Sequence, residues 1–158
     1  MSQIASFTFL RASDVSFLGF WSKPKPRLFR KPIGQFSDFL RQHALREMMF
    51  DGADGVYVAL VFAWLETIHR AAHEEDPVIR TVRKNIGGSH WLIKHPSSYT
   101  AAKTTQHFQP EDLQTISTKF GIETEFQLEM TSVDLALSFV EERLAEVTTE
   151  EALLVSIG

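Results

Sequence analysis

Apolar positions recur along this chain in two rhythms, alternation near its ends and a three-to-four-residue spacing through its middle. Ile4 to Leu10 alternates Phe7 and Phe9 with Ser6 and Thr8, which predicts a short strand. Ser13 then stands as the N-cap of a short helix carrying Val15, Phe17, Leu18 and Trp21. The spacing of Phe36, Phe39, Leu40, Ala44 and Met48 predicts an amphipathic helix that stops before the turn Asp51-Gly52-Ala53-Asp54-Gly55. Val56 to Leu65 is wholly apolar, and with its polar tail to Glu75 it predicts a central helix that is hydrophobic nearly all round. Asp76 as N-cap and Pro77 at the first helical position open the next helix; Val78, Ile79 and Val82 point inward and Gly87-Gly88 stops it.

His90 to Lys94 follows as a short strand ended by Pro96, and Ser97 to Gln109, poor in apolar residues, is expected on the surface. Pro110-Glu111-Asp112 opens a helix through Leu113, Ile116 and Phe120 that stops at Gly121. Ile122, Thr124, Phe126 and Leu128 alternate strictly with Glu123, Glu125, Gln127 and Glu129, the pattern of a strand with one buried and one acidic face. Thr131-x-x-Asp134 resembles a capping box and leads a helix buried through Val133, Leu137, Val140, Leu144 and Val147. Ala152 to Ile157 closes the chain as a strand. Strands at both ends with helices clustered between them predict a single α+β domain spanning residues 1–158. Its small sheet, of N-terminal, middle and C-terminal strands, packs with five or six helices.

Composition narrows the function without naming it. With 158 residues and 44% hydrophobic content the chain can bury a core of its own. Zero cysteines exclude a disulfide scaffold, a thiolate metal site and a cysteine nucleophile. The ten-residue apolar run from Val56 falls short of the roughly 20 residues that span a bilayer, and the N-terminus lacks the pattern of a signal peptide. The expectation is therefore a cytoplasmic protein with no membrane partner. Net charge is −4, divided as +5 over residues 1–110 and −9 over residues 111–158. That is too modest for a nucleic-acid signature but enough to steer a protein partner.

The two chain ends carry a resemblance. Ile4-Ala5-Ser6-Phe7-Thr8-Phe9-Leu10-Arg11-Ala12-Ser13, the helix Val133 to Val147 with the closing Glu151-Ala152-Leu153-Leu154-Val155-Ser156-Ile157-Gly158, and the helix start Phe108-Gln109-Pro110-Glu111-Asp112-Leu113 are similar to the YfbM-like family of uncharacterised bacterial proteins. The resemblance covers about a third of the chain and leaves the middle unmatched. It implies a small α+β domain, bacterial and cytoplasmic, and carries no activity or functional residues to transfer.

Candidate chemistry is sparse. All six histidines fall between His43 and His107, and Glu66-x-x-His69-x-x-x-His73 would place three metal ligands on one helical face. A catalytic ion normally takes three protein ligands and keeps one position open, and His90 or His95 would have to complete the set. Gly87-Gly88-Ser89-His90-Trp91 has neither a following helix nor a Walker-type lysine, so it reads as a helix stop rather than a phosphate cradle. Ser89 lacks the Gly-x-Ser-x-Gly elbow of hydrolases. The stretch Lys23 to Gly34 holds three prolines and five basic residues with no acid, and is expected as an extended surface loop. Its Lys23, Lys25, Arg27, Arg30 and Lys31 could meet phosphate or an acidic protein surface. Trp21, Trp64 and Trp91 are expected in the core or an interface. Two functions stay open. The first is a cofactor-free, non-enzymatic domain that binds another protein in an interaction, immunity-type or regulatory role, with a homodimer as a variant. The alternative is a metal- or histidine-dependent hydrolase built on Glu66, His69 and His73.

Overall fold

The first and last strands of the chain are the centre of its sheet. In the computed structural model, which describes residues 3–23, 32–68, 76–94 and 129–158, β1 (Ala5–Arg11) lies antiparallel to β4 (Glu151–Ile157), from Ala5 opposite Ile157 to Arg11 opposite Glu151. Ile4 and Gly158 extend the ladder by exchanging backbone hydrogen bonds of 2.9 and 3.2 Å. β2 (Arg46–Phe50) pairs with the outer side of β1 and β3 (Ser89–Ile93) with the outer side of β4, giving an antiparallel sheet in the order β2-β1-β4-β3. Among the described residues the helices are α1 (Val15–Trp21), α2 (Pro32–His43), α3 (Val56–Ile68), α4 (Pro77–Ile86) and α5 (Met130–Ala145). The α+β architecture read from the chain is the one observed.

Because side chains alternate across a strand, each strand feeds two cores. Phe7, Phe9, Trp91, Leu153 and Val155 face α3 and α5 and form one continuous buried cluster with them. Leu10, Leu92, Ala152 and Leu154 face the other way, into a smaller cluster with Val15 and Leu18 of α1, Phe36 and Phe39 of α2 and Ile79 and Val82 of α4. Helices on both faces explain why β4 is apolar at nearly every position rather than at every second one. Fully burying each large side chain contributes roughly 1.5–3 kcal/mol. In the larger cluster Phe7 meets Phe139 edge-on at 5.1 Å, and Phe62 stacks on Trp91 at 5.3 Å.

Several helix ends follow their residue chemistry. The Asp76 carboxylate accepts the Val78 N–H at 2.8 Å, Pro77 opens α4, and Gly87 ends it by donating its N–H to the Arg83 carbonyl at 2.9 Å, as the sequence pattern predicts. Asp54 caps α3 through the Val56 N–H at 3.0 Å and also accepts the Gln3 N–H at 3.2 Å. Gly55 is required beside it, since a Cβ there would lie 2.8 Å from the Ala5 nitrogen and 2.9 Å from the Gln3 carbonyl oxygen.

Four expectations are corrected. The helix expected to run to Met48 ends at His43, and Arg46–Phe50 is a strand. Ala44 and Met48 lie four apart, a spacing that fits either period; Leu45 settles it by donating its N–H to the Phe9 carbonyl at 2.8 Å, which starts the ladder with β1. Arg46 then lies 3.8 Å over the Phe9 ring and grips Glu151 at 2.9 and 3.2 Å, tying the basic part of the chain to the acidic part. Pro32 to Gly34, expected as the end of the proline loop, belong to α2, which Pro32 opens with its fixed φ. Ser13 is not an N-cap: it sits in a 3₁₀ turn (Ala12–Asp14), and Asp14, which precedes α1, makes no side-chain cap bond and lies 3.4 Å from His43 Nδ1 instead. Nor do Thr131 and Asp134 form a capping box. Glu129 occupies the cap position, its N–H donated to the Tyr57 hydroxyl at 3.4 Å, which leaves Thr131 inside the first turn. The helix expected from Pro110 and the strand expected over Ile122 to Leu128 lie outside the described residues.

Candidate functional site

On the α1–α2–α4 face, among the described residues, the helices cover one end of the sheet. Leu10, Ala152, Leu154 and Leu92 are sealed, whereas the other end, where β1 starts and β4 finishes, opens into a cleft of about 520 Å³. Its floor is a cross-strand row fixed by the register: Met49 opposite Ser6, Ser6 opposite Ser156, Ser156 opposite His90. Phe36 and Leu40 from α2 and Ile86 from the end of α4 line it, with Arg41 and Glu47 as its charged members. Pockets of this size with apolar walls and a few convergent polar groups are the usual form of a ligand site.

His90 is the most constrained group in the cleft. It is buried, with the Phe36 ring edge-on at 6.0 Å. Its Nε2 lies 2.9 Å from the Gly87 carbonyl and its Nδ1 lies 2.9 Å from Ser156 Oγ. A carbonyl can only accept, so Nε2 carries the proton and, in the neutral ring, Nδ1 accepts from the Ser156 hydroxyl. Burial lowers the His90 pKa from its ordinary 6.5; the Gly87 carbonyl opposes that shift and the charge of Arg83 assists it, so the environment favours the neutral ring. Arg83 fixes the backbone as well, donating from Nε to the His90 carbonyl at 2.7 Å and from Nη2 to the same oxygen.

Two glycines make room for this arrangement. Gly87, at φ 70° and ψ −166°, turns the chain out of α4 in a conformation that is essentially restricted to glycine. Gly88 also has a positive φ, and a Cβ there would lie 3.2 Å from His90 Nε2. The paired glycines that read as a helix stop therefore also seat the imidazole. Ser156 is half-buried on a central strand, and the Ser6 hydroxyl beside it has no hydrogen-bond partner among the described residues.

Of the candidate residues chosen from sequence, the cleft holds His90. Glu66 belongs to α3, but its side chain, like His69, His73 and His95, lies outside the described residues. His90, considered there as a metal ligand, has both ring nitrogens engaged by Ser156 and Gly87. Among the described residues no three His, Asp or Glu side chains gather closely enough to hold an ion. Lys23 is exposed just past the end of α1, and Lys25, Arg27, Arg30 and Lys31 lie outside the described residues. No helix among the described residues is long and apolar enough to cross a membrane. Sequence reasoning missed Ser6 and Ser156. The available signal was a hydroxyl interrupting an apolar strand, at Ser6 in Ala-Ser-Phe and at Ser156 in Leu-Val-Ser-Ile. Comparison with known proteins assigns no family: no protein-family model, curated protein or solved structure matches the chain.

Proposed function

We propose that the chain is a binding domain that engages another protein through the open cleft beside β2. The observation that carries this is the exposure of Ile4 (55%) and Met49 (58%) among the cleft-lining residues, large apolar side chains next to a hydrogen-bonding floor. Apolar area at a concave, partly polar surface is what a partner side chain buries when it docks, and isolated exposed residues elsewhere on a surface need no such explanation. Glu47 and Met49 of β2 line the same cleft, and among the described residues β2 pairs only with β1, an edge at which an extended partner segment would meet backbone groups as well. With the likeness of the chain ends to the YfbM-like family, the setting that fits this function is the bacterial cytoplasm.

Selection from a random-peptide display library against the folded protein tests it. Recovered peptides are expected to carry an apolar anchor and to lose binding by tenfold or more in Met49→Asp, about 1.4 kcal/mol, with the thermal midpoint unchanged. Peptides that bind Met49→Asp and the parent chain equally would place the recognition surface elsewhere.

A further inference from the structure

The cleft floor carries a chemistry that binding alone does not require. Ser156 and His90 stand directly opposite each other on neighbouring strands, with Oγ and Nδ1 2.9 Å apart. The proton on Nε2 is committed to the Gly87 carbonyl at 2.9 Å, so the nitrogen facing the hydroxyl is a base. This is a nucleophile, a base within hydrogen-bond reach and a third group orienting the base, the arrangement that activates serine in acyl transfer. Here the base uses Nδ1 where the Ser-His-Asp triad uses Nε2, and a backbone carbonyl replaces the carboxylate. The hydroxyl lines an open cleft and lies on a central strand held on both sides.

We infer that Ser156 is a base-activated nucleophile that takes the acyl group of a small carboxylic ester bound in the cleft and passes it to water. Ser156 Oγ attacks the acyl carbon while its proton moves to His90 Nδ1. The bond from that carbon to the leaving oxygen then breaks, and the same proton goes to the departing alcohol. Water repeats the sequence on the acyl-serine, giving up its proton to Nδ1, releasing the carboxylic acid and restoring the hydroxyl. Cβ atoms of residues directly opposite on antiparallel strands are about 4.5–5.5 Å apart, which brings the Ser6 hydroxyl within reach of the oxygen that becomes negative during attack. Phe36, Leu40 and Ile86 offer the acyl chain an apolar wall.

The site is the one proposed for partner binding, and the two functions fail separately. Peptide binding without an adduct defeats the chemistry, and an adduct without peptide binding defeats the partner role. The experiment treats the folded chain with p-nitrophenyl butyrate and, separately, with a fluorophosphonate, following nitrophenolate release and mapping adducts by mass spectrometry. One adduct per chain is expected, on Ser156, with ester turnover abolished in Ser156→Ala and slowed about 100-fold or more in His90→Asn. Absence of any Ser156 adduct on the folded parent chain overturns the inference, as does hydrolysis unchanged in Ser156→Ala. Were His90→Asn to lose its fold, Ser156→Ala and the adduct map on the parent chain still decide.

Discussion

The sheet presents two faces built by the same alternation to different ends. On the α3–α5 face Phe7, Phe9, Trp91 and Val155 form an unbroken apolar layer, and the helices above it are apolar to match. On the opposite face the alternate residues change character along the strands, from Leu10, Leu92 and Leu154 under the helices to Ser6, Ser156 and His90 lining the cleft. The first face is organised for burial, and the second divides itself between burial and a polar site. A rigid apolar layer on one side lets a row of hydroxyls and an imidazole be held in register on the other, since shifting one strand by a residue would exchange the two sets wholesale.

That contrast is most easily broken through its apolar side. Phe7→Ala removes a fully buried ring that meets both Phe62 and Phe139, and a loss of about 3–5 kcal/mol is expected in urea unfolding. A loss below about 1 kcal/mol would mean that the layer does not depend on close packing. Next in size is Gly87→Ala. Nothing lies within 4 Å of the added Cβ, so the whole penalty of about 1–3 kcal/mol comes from the backbone conformation rather than from a clash. Unfolding in which Gly87→Ala equals the parent would remove the strain assigned to this turn.

Most of the elements were legible in the chain because each repeats its signal over several residues. The cap-and-stop pattern of α4, the alternation of β1 and the closing strand β4 are examples. β2 was not legible, because five residues without a turn signal before them are too few to outweigh the helical spacing that precedes them. The site was hidden for a different reason. Ser6, Ser156 and His90 lie on three strands far apart in sequence, and what unites them is a pairing register that no local pattern encodes. Helical spacing drew attention to His69 and His73, because closeness in sequence is visible and closeness across a sheet is not.

The pH dependence of stability separates the faces further, since only the mixed face holds a buried imidazole among the described residues. With its folded pKa lowered, His90 binds its proton less readily in the native state than in the unfolded chain. Its contribution to stability is therefore complete well above pH 6.5, and falls as pH drops from the ordinary value of 6.5 towards the lower folded one, where the native state at last takes up the proton. The slope from this one group cannot exceed about 1.4 kcal/mol per pH unit. Urea titrations between pH 5 and 8 are expected to show that slope in the parent chain and lose it in His90→Phe; equal slopes in both would assign the dependence to other groups.

The smallest expected effect is the most informative about the site. Ser6→Ala deletes a half-buried hydroxyl with no partner among the described residues, so its stability is expected to stay within about 0.5 kcal/mol of the parent. The same deletion one strand over, Ser156→Ala, removes a hydrogen bond to the imidazole and is expected to cost about 1 kcal/mol. If both hydroxyls only fill space on a polar floor, Ser6→Ala changes nothing else. If they serve acyl transfer, Ser6→Ala leaves folding intact and slows ester hydrolysis by tenfold or more, because a donor to the developing oxyanion is lost at the transition state and not before it. Paired measurement of unfolding and hydrolysis on this one variant thus distinguishes a polar surface from a reactive one.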